Sequence, residues 1–399
     1  MFLNNNSYVA IEKSDVLLYY IIMNIYFDNA ATTKVCEEAA EAVNRVMCDV
    51  YGNPSSPHHM GRAAAKELSD ARASVAEAIG AQQNEIYFTS GGTESVNWAV
   101  LGSIPAHFNV GKHILTSATE HSAVLESVKK REQIGWEVTY LKPGKDGYIN
   151  TDDFSSALRD DTAFVSIMLV NNETGAINPI SDFAKIIKAR GLNTIFHSDA
   201  VQGLGKIPID VKSLGVDLLS VSSHKLHGPM GAGALFTGSG IVPESLLFGG
   251  VQEEKKRPGT EALPAIAGFG TAVKIAVDRL NESFEYVKGI REYLVKELKS
   301  RLHDIEIIGS GGSPYILNLS LPGYKSEVIM NYLDTNGICV TKGSACRKGL
   351  RSRVLVAMDL KNEIIDGAIR VSFSRYSTIE EADVFVKTLE KASQTLLKH

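Results

Sequence analysis

Cysteine is scarce in this sequence: its 399 residues include only Cys36, Cys48, Cys339 and Cys346. No two stand as C-x-x-C, which excludes a zinc ribbon and a thioredoxin-type motif, and no metal site is expected. So low a density also excludes a disulfide framework. The chain reads as a protein of a reducing compartment, the cytoplasm, with free thiols. Long apolar runs are missing too. Val16 to Phe27 falls short of the roughly 20 residues that cross a bilayer. Glu12, Lys13 and Asp15 ahead of it are not the basic start of a secretory signal, so no membrane partner is expected. Positive charge is not in excess, with 41 Lys and Arg against 46 Asp and Glu, a net −5. A protein that neutralises nucleic-acid phosphates needs a basic surface, so direct nucleic-acid binding is not expected. The short basic run Lys255-Lys256-Arg257 reads as a solvated loop. Internal repeats and low-complexity tracts are also lacking.

What remains is an ordinary globular composition, 44% hydrophobic and 22% charged, in a chain long enough for two domains. Met23 begins Met-Asn-Ile-Tyr-Phe-Asp-Asn-Ala-Ala-Thr-Thr, which reads as a natural start. Residues 1–22 are therefore expected to be an upstream extension, either a misassigned start or a genuine tail. Short, apolar, β-branched runs predict strands covered on both faces: Ile86 to Thr89, His113 to Thr116, Glu137 to Leu141, Phe164 to Val170, Thr194 to His197 and Leu218 to Val221. They alternate with helical patterns such as Arg62 to Ile79 and Ile180 to Ala189, each followed by a glycine stop. Such alternation predicts an α/β domain with a mostly parallel sheet, which Ala232 to Phe236 would join antiparallel. After about residue 265 the pattern changes. A helical stretch, Ala265 to Ser300, leads into strands near Ile305, Ile316 to Ser320, Ile338 to Val340 and Ile369 to Phe373, then a helix from Ile379 to Leu397. This predicts a smaller α+β domain.

Sites in α/β sheets gather at the carboxyl ends of strands. After Ile86 to Thr89 comes Ser90-Gly91-Gly92-Thr93-Glu94-Ser95, a glycine turn into a helix. It suits an anion such as phosphate, or a plain helix cap. After Leu218 to Val221 comes Ser222-Ser223-His224-Lys225, where a lysine is placed to form a Schiff base with a carbonyl cofactor, or to stand as a loop lysine. Gly228-x-x-Gly231-x-Gly233 precedes a strand-like run rather than a helix, which rules out a dinucleotide loop. Asp199 ends a buried strand, where a carboxylate is costly unless it caps a helix or meets a cation such as a protonated pyridine. Thr119-Glu120-His121 and Asn171-Asn172-Glu173-Thr174-Gly175 close two more strands, offering a histidine that can stack on a ring and move protons.

Taken in order, these segments resemble the NifS/IscS-type cysteine desulfurases of the class V aminotransferase superfamily. To those above add Tyr26-Phe27-Asp28-Asn29-Ala30-Ala31-Thr32-Thr33, Gly52-Asn53-Pro54-Ser55-Ser56, His197 to Gln202, Arg257-Pro258-Gly259-Thr260-Glu261, Gly343-Ser344-Ala345-Cys346 and Ile369-Arg370-Val371-Ser372. The likeness runs from about residue 24 onward. It implies an α/β fold of the pyridoxal-phosphate-dependent transferase fold type I. A large domain, 41–264, would hold a mostly parallel seven-stranded sheet flanked by helices. A smaller α+β domain, 265–399, would carry the persulfide loop, and 23–40 would pack against it.

The resemblance also implies roles. Lys225 would bond the aldehyde of pyridoxal 5'-phosphate, Asp199 would pair with its pyridinium nitrogen and His121 would stack on the ring. Asn172 and Gln202 would touch the phenolic oxygen. Gly92, Thr93, Ser222 and His224 would hold the phosphate together with Thr260 of a partner subunit, which implies a homodimer. Arg370 would grip the substrate carboxylate, and Asn172 would also contact the substrate. Cys346 would take the sulfur of L-cysteine as a persulfide, leave L-alanine and pass the sulfur to an acceptor for iron–sulfur assembly or for tRNA or cofactor thiolation. Arg347, Lys348, Arg351 and Arg353 would favour its thiolate. Cys339, in an apolar run, reads as a buried inert thiol, and Cys36 and Cys48 as structural. Three positions depart from the family pattern: Lys342, Pro258 and a slightly shortened loop after Cys346. Two rival readings remain, a selenocysteine lyase or aminotransferase on the same scaffold, and a non-catalytic sulfur-transfer scaffold. Gly343 to Cys346 argues against the first, and the intact lysine, aspartate, histidine and cysteine against the second.

Overall fold

The computed structural model describes residues 24–106, 110–309, 311–343 and 351–398. Residues 1–22, Cys346, Arg347 and Lys348 lie outside the described residues.

The described chain starts with the short strand β1 (Ile25–Tyr26), then helices α1 (Glu37–Cys48) and α2 (His59–Ala78). The apolar spacing predicts α2 from Arg62. It begins earlier because His58 caps it, its Nδ1 accepting from Gly61 N at 3.2 Å. Next come β2 (Ile86–Thr89), α3 (Gly92–Asn97), β3 (His113–Ser117), α4 (Ser122–Glu132), β4 (Glu137–Leu141), β5 (Thr162–Ser166), α5 (Ile180–Ala189), β6 (Ile195–Asp199), β7 (Leu218–Ser222) and β8 (Gly233–Thr237). These strands form one seven-stranded sheet in the order β2-β8-β7-β6-β5-β3-β4, with β8 antiparallel to both neighbours and the other pairs parallel. Every residue of β2, β3, β5, β6, β7 and β8 is buried, as expected of a sheet covered on both faces. One strand is shorter than its apolar run. Phe164 to Val170 predicts a strand to Val170, but past Ser166 the Met168 N–H turns to the Glu120 carboxylate at 2.8 Å instead of a ladder partner.

Ala265 to Ser300 is not one helix but two, α6 (Leu263–Asp278) and α7 (Leu280–Arg301), parted at Arg279. Packing explains the break. Ile266, Phe269, Ala272 and Val273 of α6 belong to the core on the sheet, whereas Val287, Ile290, Leu294 and Leu298 of α7 belong to a second core. That core is completed by β9 (Glu306–Ile308), β10 (Ile316–Ser320), α8 (Ser326–Thr335) and β11 (Ile338–Cys339); α9 (Arg353–Ala357) packs in a smaller cluster with Ile308, Ile365 and Ala368, and β12 (Ala368–Ser372) and α10 (Ile379–Thr395) return to the second core. β12, β10 and β9 form an antiparallel sheet, and β1 pairs in parallel with β11. Phe27 inserts between Phe373 and Phe385, with ring centroids 5.2 and 5.9 Å away. The start of the described chain is thereby tied to the second core, and Asp28 to Thr33 run from there toward the main sheet. Among the described residues no helix is long and apolar enough to cross a membrane.

Candidate active site

The parallel strands release their loops on one edge of the main sheet, because parallel strands share one carboxyl end. A cavity of about 670 Å³ opens there. Its walls bring together Gly92, Thr93, His121, Asn172, Asp199, Gln202, Ser222, His224, Lys225 and Arg370. Of the residues singled out in the sequence, two are not among them: Thr260 is exposed and stands apart from its own chain's cavity, and Cys346 lies outside the described residues.

One end is shaped for an anion. Thr89 and Ser222 flank Gly233 on adjacent strands, and a Cβ on Gly233 would come within 2.7 Å of Gly91 Cα. A Cβ on Gly92 would meet Val201 Cγ2 at 2.7 Å, so both glycines are needed for the turn to seat this close. Glu94 Oε2 accepts from Ser90 N at 2.7 Å and fixes the turn. The opening N–H groups of α3 have no partner within the helix. Ser222 Oγ is buried without a hydrogen-bond partner. A hydroxyl left this way costs about 1–3 kcal/mol, and an anionic oxygen would relieve it.

The opposite requirement holds at Asp199. Its Oδ1 accepts from Val201 N at 2.9 Å, and burial pushes its pKa up, against the pull of His121. A carboxylate so placed calls for a cation above it. His121 Nδ1 accepts from Ala123 N at 3.1 Å, so the neutral ring carries its proton on Nε2. Burial lowers its pKa, helped by Lys225 and Arg353 and opposed by Asp199. The ring is therefore neutral near pH 7.

Lys225 follows β7 and donates from Nζ to the carbonyls of Ala30 at 2.7 Å and Ala31 at 2.6 Å. Burial, then the charge of Arg370, brings its pKa down to about 8. An amine near that value has a usable unprotonated fraction at neutral pH, which a nucleophilic lysine needs. His224 Nδ1 lies 3.2 Å from Thr32 Oγ1, and burial lowers its pKa to about 4. Gln202 gives one amide hydrogen to Ala30 O at 2.8 Å and accepts from Lys206 Nζ at 2.9 Å, leaving one hydrogen for a ligand. Arg370 is buried. Its Nη2 donates to Asp28 Oδ1 at 2.7 Å and its Nη1 to Asn172 O at 2.8 Å, while Nε has no partner.

Sequence reasoning passed over several residues. Glu120, buried beside the cavity, has its pKa pushed up to about 8 by burial. Glu173 is buried with a raised pKa and accepts from Ser352 Oγ at 2.5 Å. Lys206 is buried behind Gln202, with its pKa brought down to about 7 by burial. Arg353, read in the sequence only as a charge favouring the Cys346 thiolate, lines the cavity and donates to Glu120 O at 3.1 Å. Glu120 and Glu173 stand inside the motifs read for His121 and Asn172. The available signal was two acidic residues at the ends of buried strands. The thiols differ from expectation as well. Cys48 is exposed, because α1 buries its Ala39 and Val46 face instead. Cys339 is half-buried, because β11 pairs, among the described residues, only with β1, and burial raises its pKa.

A family model described as aminotransferase class-V matches residues 25–385. A cysteine desulfurase IscS of Dictyoglomus turgidum is 41% identical, over 93% of this chain and 95% of its own length. A cysteine desulfurase IscS of Methanosarcina thermophila is 40% identical, over 93% of this chain and 92% of its own. Among solved structures, a NifS-like protein superposes with a TM-score of 0.89 at 36% identity, covering 94% of this chain and all of its own.

Proposed function

The chain belongs to the class-V aminotransferase family, among its cysteine desulfurases, and from that premise we propose that it binds L-cysteine at Lys225, passes the sulfur to Cys346 as a persulfide and releases L-alanine. The observation that carries this reading is a single cavity holding Lys225, Asp199, Arg370 and the unpartnered hydroxyl of Ser222.

The residues fit pyridoxal 5'-phosphate. Its phosphate suits Gly92, Thr93, Ser222 and His224, its pyridinium nitrogen suits Asp199, and its ring suits the face of His121. The remaining amide hydrogen of Gln202 and the side chain of Asn172 suit the phenolic oxygen. When bound, this cofactor would supply an electron sink for the substrate Cα. Thr260 completes the phosphate site from a partner subunit, making the enzyme a homodimer. Leu247, Phe248 and Val251 near it are exposed, Phe248 by 93%, as a face awaiting a second copy would be.

Arg370 holds the substrate carboxylate, the fork of its guanidinium matching two oxygens. Lys225, which lines the site, would move the Cα proton. His121, neutral and protonated on Nε2, sets the protonation of the substrate thiol. The thiolate of Cys346 attacks the substrate sulfur, forming an S–S bond as the C–S bond breaks. The released electron pair goes to carbon, which takes a proton and leaves as alanine, so no oxidant is required. The outer sulfur then moves to an acceptor protein serving iron–sulfur assembly or thiolation, by exchange of the thiol–disulfide kind, in a reducing cytoplasm.

The test is to feed the purified enzyme cysteine and map persulfide by mass spectrometry. Cys346→Ser should keep the bound cofactor's absorbance and form no persulfide, and Lys225→Ala should lose both the covalently held cofactor and turnover. Sulfide release from cysteine by Cys346→Ser at the wild-type rate sinks the assignment.

A further inference from the structure

The segment that carries Thr260 has almost no regular structure of its own. It contains one short turn, in which Glu253, Glu254 and Lys255 take φ of 45°, 56° and 67° in succession. Non-glycine residues avoid this left-handed region, so something outside the segment must hold it there.

Two ion pairs do so: one ends on α2 and on β2, the strand that leads into the anion-binding loop of the same chain, and the other ends on that loop itself. Glu253 is buried, its side chain 1% exposed, and both of its oxygens are engaged. Arg72 donates to Oε1 at 2.6 Å and to Oε2 at 2.8 Å, and Phe88 N donates to Oε2 at 2.9 Å. Strand β2 is at the sheet edge, so this N–H has no ladder partner and the carboxylate supplies one. The Arg72 guanidinium also lies 4.8 Å above the centroid of the Phe88 ring, clamping the pair to the strand. Four residues further along, Arg257 donates to Glu94 from Nε at 2.8 Å and from Nη2 at 3.1 Å. Glu94 is the residue whose Oε2 accepts from Ser90 N at 2.7 Å and so fixes the glycine turn. Gln252 Oε1 accepts from Gly259 N at 3.1 Å and closes the loop between the ties. Only Pro258 and Gly259 separate Arg257 from Thr260, a lever of at most about 10 Å.

We propose that Arg72–Glu253 and Glu94–Arg257 are positioning pairs that act in trans: each subunit's own anion-binding loop, with α2 and β2 beside it, sets the place of the threonine it supplies to its partner's phosphate site. This rests on the homodimer reading above. Arg72, Glu253 and Arg257 do not line their own chain's cavity, and Glu94, which does, keeps its own bond from Ser90 N. Their effect is delivered across the interface through Thr260.

The experiment uses mixed dimers in which one chain alone keeps Lys225, so that borohydride trapping of pyridoxal phosphate on that lysine reports a single site. In one arrangement Glu253→Gln is placed on the Lys225→Ala chain, opposite the competent site. In the other it is placed on the chain that keeps Lys225. The apparent dissociation constant for the cofactor should rise roughly tenfold, the weight of one hydrogen bond to a charged phosphate, in the first arrangement and stay near wild type in the second. Arg257→Met, which cuts the less buried tie, should give the same asymmetry, and it decides the matter if Glu253→Gln does not assemble. Equal losses in both arrangements, or a loss only in the second, overturn the proposal, since a pair that merely props its own chain shows no such asymmetry. Thr260→Ala in the same two arrangements separates the failures. A trans loss for Thr260→Ala without one for the ion-pair variants overturns this proposal alone. No trans loss for Thr260→Ala overturns the shared phosphate site and this proposal with it.

Discussion

Arg370 Nη2 donates to Asp28 Oδ1 at 2.7 Å, joining β12 to the segment that runs from the second core toward the main sheet. Asn172 O holds Nη1 at 2.8 Å. The guanidinium is thus fixed in its plane before any substrate arrives, with Nε still unpartnered. Preorganisation of this kind favours one planar anion over other ligands.

Arg370→Lys should therefore be a severe change despite keeping the charge. A lysine cannot reproduce the fork, and losing one charge-assisted hydrogen bond costs about 1.5–3 kcal/mol. Steady-state kinetics should show kcat/KM for cysteine falling by roughly 10–100-fold, with the absorbance of bound cofactor unchanged. An equal fall for cysteine and for an analogue without the carboxylate would contradict the role.

Glu120→Gln should separate stability from pH. Burial raises the Glu120 pKa to about 8 in the folded enzyme, against an ordinary value of 4.5. Between these values the folded state holds a proton that the unfolded state has released. Stability from this group is complete below pH 4.5 and is lost as pH rises through 8. Glutamine removes the titration at nearly the same shape. Calorimetric melts should place the variant above wild type at pH 8 and higher, with the difference shrinking toward pH 5. A constant difference across that range would show that Glu120 is not held protonated.

Much of this site was legible because its residues follow strands. The short apolar runs ending at Thr89, Asp199 and Ser222 mark carboxyl ends of a parallel sheet, and the chemistry stands in the residues just after them. Tertiary contacts left no such mark. The helix break at Arg279 is set by which core each half packs on, and nothing in the local pattern distinguishes it from a continuous helix. The pairing of Glu253 with Arg72 spans 181 residues and joins α2 to a segment beside the run that reads as a solvated basic loop. Only the folded arrangement shows that one carboxylate there is buried. The Asp28 segment was recognised as a motif without a partner, since its partner arrives with the last strand.

Ser222→Ala should act with opposite signs on two measurements. The hydroxyl is buried and unpartnered, so removing it relieves a desolvation cost in the cofactor-free enzyme. Its melting temperature should hold or rise slightly. Cofactor affinity, measured by equilibrium dialysis of pyridoxal phosphate, should fall roughly tenfold for one lost hydrogen bond to phosphate. A fall in both quantities would mean that the serine packs rather than binds.

Loading of the cofactor-free enzyme should depend on pH through Lys225. Bond formation to an aldehyde requires the neutral amine of Lys225, and an ordinary lysine, at 10.5, is nearly all protonated at neutral pH. Burial and the nearby charge of Arg370 bring Lys225 to about 8, while Asp28 and Asp199 hold it up. The second-order rate of loading should therefore rise with pH and reach half its plateau near pH 8. Asp28→Asn withdraws one carboxylate that favours the charged amine, so the midpoint should move to lower pH. Arg370→Gln withdraws a cation that disfavours it, so the midpoint should move to higher pH. Stopped-flow absorbance from pH 6 to 10 reads all three curves. If both variants shift the midpoint the same way, the amine is not tuned by this pair of opposed charges. A wild-type midpoint near 10 would mean that burial does not lower the lysine at all.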